Sequence, residues 1–355
     1  MTHRERVLTA FHHREPDRVP LDYMANAEIH AALHAHFGLA EDESCALSER
    51  LGVDFRGVYV GYTGQPLHEA PPGYQVDERG ARMRWVEHAA GGYWDFCDFP
   101  LAGTITVDQA KAWPFPHPDD YDYGTLPSRC EAVQGYAIVL GGAGVGCILN
   151  NLGSIRGMDG VLCDVLTEEP AGMMLIDRFN ELQLEVARRA LSAAGKLADV
   201  FCVGEDLGTQ RGPIVNPETF RRIIKPRMQR FIDEAKKYGL LVMMHSCGSS
   251  SWAFDELAGM GVDIIDTLQP EAAGMGPAYL KRVFGKKLSF HGAISTTGAL
   301  SFGGVQDVRD EVRRVLDVMM PGGGYALAPS HAIQSNSPVE NVLALYETAR
   351  EYGVY

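Results

Sequence analysis

Leu240-Leu241-Val242-Met243-Met244-His245-Ser246-Cys247-Gly248 begins as an unbroken apolar run and ends in an imidazole and a thiol two residues apart. The apolar part reads as a buried strand. Side chains alternate faces along a strand, so His245 and Cys247 share one side if the extended geometry persists through Ser246. A nitrogen and a sulfur donor at that spacing suit a borderline-soft cation such as zinc. The same pair also fits a buried thiol beside a hydrogen-bonded histidine at a strand end.

Outward from this stretch, short apolar runs alternate with longer amphipathic ones. Candidate strands cover 136–140, 199–204, 240–245, 263–267, 287–291 and 324–328. Candidate helices cover 171–194, 217–238, 251–260, 277–284, 305–319 and 338–352. Asn216 is a plausible N-cap, with Pro217 in the first helical position. Gly239 and Gly261 follow helices in the usual closing position. Such alternation implies parallel strands with crossover helices. Toward the N-terminus, 18–23 and 55–60 read as strands, with a helix over 26–37 and the segment 44–51 between them. Residues 62–130 are rich in Pro, Gly and aromatics, and 76–88 reads as a hairpin inserted between barrel units. With about eight candidate strands, the α/β chain is expected to form a (β/α)8 TIM barrel, one domain over residues 1–355 with an N-terminal hairpin insertion.

The later strands each end in polar residues: Glu205-Asp206, His245 and Cys247, Asp266 and Gln269, His291, and then His331. In such barrels the chemistry sits where strands end and βα loops begin. His331 can therefore meet His245 and Cys247 at a common mouth as a third metal ligand; a hydrogen-bonded loop histidine is the competing role. Glu205 is a candidate fourth ligand or a catalytic carboxylate, or else an acceptor for loop amides. Asp206 is a candidate catalytic carboxylate, or a group that orients a ligand histidine. Tyr23, Tyr62, Arg211, Gln269 and His291 are candidate substrate contacts. Aromatic residues from Tyr59 to Phe99, including Trp85 and Trp94, could wall a substrate or a corrin face, although core and hairpin packing is the favoured role for most of them. The glycine-rich run 141–146 follows a strand, but no acidic residue falls where a dinucleotide ribose would need it.

Composition narrows the classes. The 355 residues are 46% hydrophobic and 22% charged, as in ordinary globular proteins. A net charge of −14 argues against nucleic acid or an anionic membrane as partner. Seven cysteines at irregular spacing do not form a disulfide framework. No apolar run approaches the ~18 residues of a membrane span, and the N-terminus does not read as a targeting sequence. The expectation is a reduced, cytoplasmic protein, with a homodimer left open.

The chain resembles the uroporphyrinogen decarboxylase superfamily. The resemblance rests on Arg4-Glu5-Arg6-Val7-Leu8, Arg14-Glu15-Pro16-Asp17-Arg18-Val19-Pro20 and Leu51-Gly52-Val53-Asp54-Phe55. It continues through Gly204-Glu205-Asp206-Leu207-Gly208, His245-Ser246-Cys247-Gly248, His291-Gly292, Ala328-Pro329-Ser330-His331 and Pro338-Val339-Glu340-Asn341. It implies a TIM barrel and either porphyrinogen decarboxylation or corrinoid-dependent methyl transfer. The decarboxylases carry an Arg-rich segment after the first strand, where this chain has Met24-Ala25-Asn26-Ala27-Glu28-Ile29-His30. They carry a catalytic Asp after the next strand, where Phe55–Tyr62 has none. The methyltransferase branch is more similar; it holds zinc with an H-x-C pair and a later Cys, a position occupied here by His331.

The resemblance therefore implies a zinc methyltransferase with His245, Cys247, His331 and Glu205 around the metal. It would exchange a methyl group between a small methoxy- or amine-type substrate and a corrinoid (cobalamin) carried by a partner protein. Two alternatives stand beside it. One is a metal-free decarboxylase or lyase clamping a small acid with Arg18, Arg56 and Arg211. The other is a non-catalytic barrel that binds a corrinoid or another ligand.

Overall fold

The computed structural model describes residues 1–40, 42–88 and 91–355. Its central sheet holds β1 (Phe55–Val58), β2 (Ala137–Gly141), β3 (Val200–Gly204), β4 (Leu241–His245), β5 (Ile264–Leu268), β6 (Ser289–Ile294) and β7 (Tyr325–Pro329). They pair in that order, every pair parallel. The expected strand at 18–23 is reduced to a bridge, Leu21 to Leu327. Leu327 N donates to Pro20 O and Asp22 N to Leu327 O, both at 2.9 Å, while Asp54 N reaches Leu21 O at 2.8 Å. Residues 20–22 thus fill the gap between β7 and the start of β1 and close the barrel. Pro20 has no N–H to extend the ladder.

The barrel interior is layered by strand parity. Val200 and Cys202 on β3, Met243 on β4 and Ile264 on β5 point inward with Phe55 and Ala137. The helix His3–Phe11, opened by a Thr2–Glu5 capping box, plugs the N-terminal end with Val7 and Phe11. Beside it, fully buried Asp54 accepts from Arg6 at 2.7 Å, Arg18 at 2.7 and 3.0 Å, and Leu21 N at 2.8 Å.

Outside the barrel, Val305–Met319 buries Val308, Val312, Val315, Leu316 and Met319, an apolar stripe at helical spacing. Asn216 caps the following turn through Thr219 N at 2.8 Å. The helix expected over 217–238 contains a wide turn at Phe220–Ile224, just before Pro226, whose ring nitrogen cannot bond the preceding turn. Gly239 then leaves the helical region at φ 74°.

The inserted segment is a three-stranded antiparallel sheet, Tyr74–Val76, Arg82–His88 and Gly91–Phe96, rather than one hairpin over 76–88. Trp85 and Trp94 face each other across it at 5.7 Å and remain exposed. Two helices, Leu149–Arg156 and Met158–Thr167, fill a region without a sequence assignment; neither begins with a side-chain cap. Among the described residues no helix is long and apolar enough to cross a membrane.

Candidate metal centre

One layer above Cys202, Met243 and Ile264, the register aligns Gly204 with His245 and His245 with Asp266. Parity points His245 and Asp266 into the barrel at its C-terminal mouth. Gly204 on the neighbouring strand permits close approach of the 143 backbone: a Cβ there would meet Ala143 O at 2.0 Å.

Asp266 lies between two imidazoles. Its Oδ2 is 2.6 Å from His245 Nδ1 and its Oδ1 is 2.6 Å from His291 Nδ1. Burial favours a neutral Asp266, but the two histidine hydrogen bonds outweigh it and hold the carboxyl well below its usual range. An ionised carboxylate only accepts, so both Nδ1 atoms carry hydrogen. His291 Nε2 donates to Asp22 Oδ2 at 3.0 Å, so both of its nitrogens face carboxylates. Burial opposes this charge, yet Asp22 and Asp266 raise His291 to about 10. His245 is likewise raised despite burial, by Asp266 and then by Cys247.

With Nδ1 committed, His245 Nε2 faces Cys247 Sγ at 3.5 Å. Two ligands of a tetrahedral zinc, at its usual sulfur and nitrogen distances, would stand about 3.6 Å apart. Asp206 completes a group in which one ligand atom of each residue lies within 4.8 Å of the others. Its Oδ1 accepts from Cys247 N at 2.8 Å, and its Oδ2 from Asn150 Nδ2 at 2.7 Å. Leu207 N donates to Ser246 Oγ at 3.0 Å, lacing the loops of Asp206 and Cys247 together. A thiol, an imidazole oriented by a carboxylate and a second carboxylate form a donor set that fits zinc.

Glu205 is not in this group. It is 1% exposed and turns toward the start of the Leu149–Arg156 helix. There it accepts from Ile148 N at 2.8 Å, Leu149 N at 3.2 Å and Cys147 Sγ at 3.3 Å. Burial pushes its carboxyl up to about 8, against those donors. His331 also stands apart. It is exposed, with Nδ1 3.4 Å from Ala332 O, and lines a cavity of about 320 Å³ with Gln269, Thr296, Thr297 and Ser330. Gln269 joins that cavity to the metal group, because its Oε1 accepts from Gly248 N at 3.1 Å.

The other candidate contacts scatter. Tyr23 packs edge-on against Tyr346 at 6.1 Å, with its hydroxyl 3.5 Å from His30 Nδ1. Tyr62 lies on a separate ribbon and donates to Gln65 O at 2.7 Å. Arg211 is on an exposed loop. Arg18 and Arg56 sit at the N-terminal end, Arg18 on Asp54 and Arg56 stacked 3.7 Å over Tyr136. The three arginines therefore do not form an acid clamp. Asn150, Asp22 and the orienting role of Asp266 were not assigned from sequence. Inward parity with Ile264 was the available signal for Asp266.

Several similarities bear on this geometry. Residues 116–352 match the family model described as uroporphyrinogen decarboxylase (URO-D). Methylcobamide:CoM methyltransferase MtaA of Methanosarcina barkeri is 26% identical over 155 residues, which is 44% of this chain. The same named protein from strain Fusaro matches equally. The alignment spans only 42% of that relative's length. A methyltransferase structure from Methanosarcina mazei superimposes with a TM-score of 0.68 at 19% identity, covering 99% of both chains, so the fold is shared end to end. The layered barrel, its motifs and the family match agree: the chain belongs to the uroporphyrinogen decarboxylase family.

Proposed function

We propose that this protein is a zinc-dependent methyltransferase that exchanges a methyl group between a small methoxy- or amine-type substrate and the corrinoid of a partner protein. The observation that carries the reading is the convergence of His245 Nε2, Cys247 Sγ and an Asp206 oxygen within 4.8 Å at the barrel mouth. These three residues would hold the metal; Asp206 takes the position for which sequence favoured His331. When bound, zinc supplies Lewis acidity at a coordination position left for substrate.

The chain's own residues prepare that chemistry. Asp266 holds the Nδ1 hydrogen of His245, so that Nε2, on the Cys247 side, is the nitrogen that would bind the metal once its proton is displaced. Asn150 and the Cys247 amide hold both oxygens of Asp206. His331, Thr296, Thr297, Ser330 and Phe302 line a chamber beside the ligand group, a mainly apolar surface with a few polar groups, suited to a small substrate with an apolar part and hydrogen-bonding heteroatoms. The corrinoid and its carrier are supported by the sequence likeness to the methylcobamide-named relatives.

Zinc-loaded protein should demethylate methylcobalamin, or methylate cob(I)alamin, in the presence of a suitable member of a panel of thiols, methoxylated compounds and methylamines. The change is followed by the corrin absorbance. His245→Ala should abolish it. Stoichiometric zinc with no exchange across the panel would refute the proposal.

A further inference from the structure

A chamber of about 340 Å³ lies behind the barrel wall; none of His245, Cys247 and Asp206 lines it, and Gly144 and Asn151 border both it and the pocket beside Asp206 and His245. Leu140 on β2 and Phe201 on β3 form its inner side. They face opposite to Val139 and Cys202, which pack inside the barrel. Phe179 and Leu182 of the helix Pro170–Ala194 form the outer side. Small residues on the facing surfaces, Ala187 and Ala190 against Gly141 and Gly144, leave the volume open. Protein interiors are otherwise close-packed, and this volume falls in the range of small-molecule sites.

The rim is charged asymmetrically. Arg79 is already neutralised, because Nε and Nη2 bond Asp77 Oδ2 at 2.9 and 2.6 Å and Nη1 bonds Asn151 Oδ1 at 2.5 Å. Glu78 lines the same rim, and no hydrogen bond or ion pair engages it among the described residues. The half-buried Tyr121 ring stands beside it, with a hydroxyl that has no partner either. Both residues line the chamber, and burial, followed by the Glu78 charge, raises that phenol. Tyr59 adds a second aromatic face. An apolar chamber entered past a free carboxylate and phenol rings is built for a cation with an apolar body.

We propose that this chamber is a second binding site, lined by none of the metal-group residues, for an organic ammonium compound: its apolar part between Leu140 and Leu182, its charged head at Glu78 and Tyr121. The site does not depend on methyl transfer, and its test does not use that activity.

The probes are benzylammonium and benzyl alcohol, which share a ring and differ in head-group charge. Calorimetric titration of the full chain should show benzylammonium binding at one site about tenfold more tightly than the alcohol. Glu78→Gln, a rim substitution with no structural partner to lose, should bring the two affinities together. Ala187→Phe should fill the chamber and abolish binding of both probes while leaving zinc stoichiometry intact. Equal affinity for the two probes, no binding of either, a charge preference that survives Glu78→Gln, or binding that survives a zinc-competent Ala187→Phe protein would each overturn the proposal.

Discussion

Replacing Asp266 by Asn tests the proposed metal group through a residue outside it. The carboxylate accepts one hydrogen bond from each of His245 and His291, both at 2.6 Å. The amide is almost the same size but has only one accepting atom; its NH2 must face the other imidazole. If that imidazole is His245, Nδ1 must become the acceptor and the hydrogen moves to Nε2, the atom facing Cys247. A protonated Nε2 is not a ligand. If His291 meets the NH2 instead, it must give up its charge or keep only Asp22 as partner, and His245 loses a charge-assisted bond. Losing an orienting partner of this type lowers metal affinity 10- to 100-fold, or about 1.4–2.7 kcal/mol. Zinc affinity is read by competition with a chromophoric chelator, at a temperature where circular dichroism shows the variant folded. A folded Asp266→Asn protein that binds zinc within about twofold of wild type would refute the reasoning.

Other substitutions separate neighbouring roles. His331→Ala should leave zinc affinity within about twofold, since the side chain lies outside the ligand group, but should raise the KM for the methylated substrate; loss of zinc would return His331 to the metal. Glu205 has its folded pKa raised from 4.5 to about 8, so its contribution to stability is full below the unfolded pKa and is lost as pH rises through the folded value. That amounts to about 5 kcal/mol across the window. Metal-free wild type should therefore lose thermal stability from about pH 5 to pH 8 relative to Glu205→Gln, and parallel profiles would contradict the assignment. Asp54→Ala leaves Arg6 and Arg18 without their shared buried carboxylate and should cost about 3–5 kcal/mol by guanidinium unfolding; a loss below 1 kcal/mol would show that the network is dispensable.

The parts of the fold legible in sequence were those with strong periodicity. Pro277–Phe284 and Val305–Met319 have the bounds read from their patterns, and β2 through β7 begin within two residues of expectation. The missed helices at Leu149–Thr167 have no local N-cap side chain, the first being met instead by distant Glu205, so no local signal marked their start. The strand expected at 18–23 became a bridge because tertiary closure needs only three residues there.

The site divides in the same way. His245 and Cys247 meet as i, i+2 parity implies, and Asp266 could have been found by the same rule. Parity fails on loops. Glu205 and Asp206 are adjacent, yet one turns to the amides of Ile148 and Leu149 and the other toward Cys247. Only the packed helix start distinguishes them. His331 follows the last strand, but its loop carries it to the neighbouring cavity. Asp22, more than 260 residues from its partner His291, has no sequence signature at all.

X-ray absorption at the zinc edge of stoichiometrically loaded protein probes the ligand group itself. The account predicts a single sulfur neighbour at about 2.3 Å with nitrogen and oxygen neighbours near 2.0 Å, and a sulfur shell that disappears in Cys247→Ser. Two sulfur neighbours, none, or a sulfur shell that persists without Cys247 would contradict it.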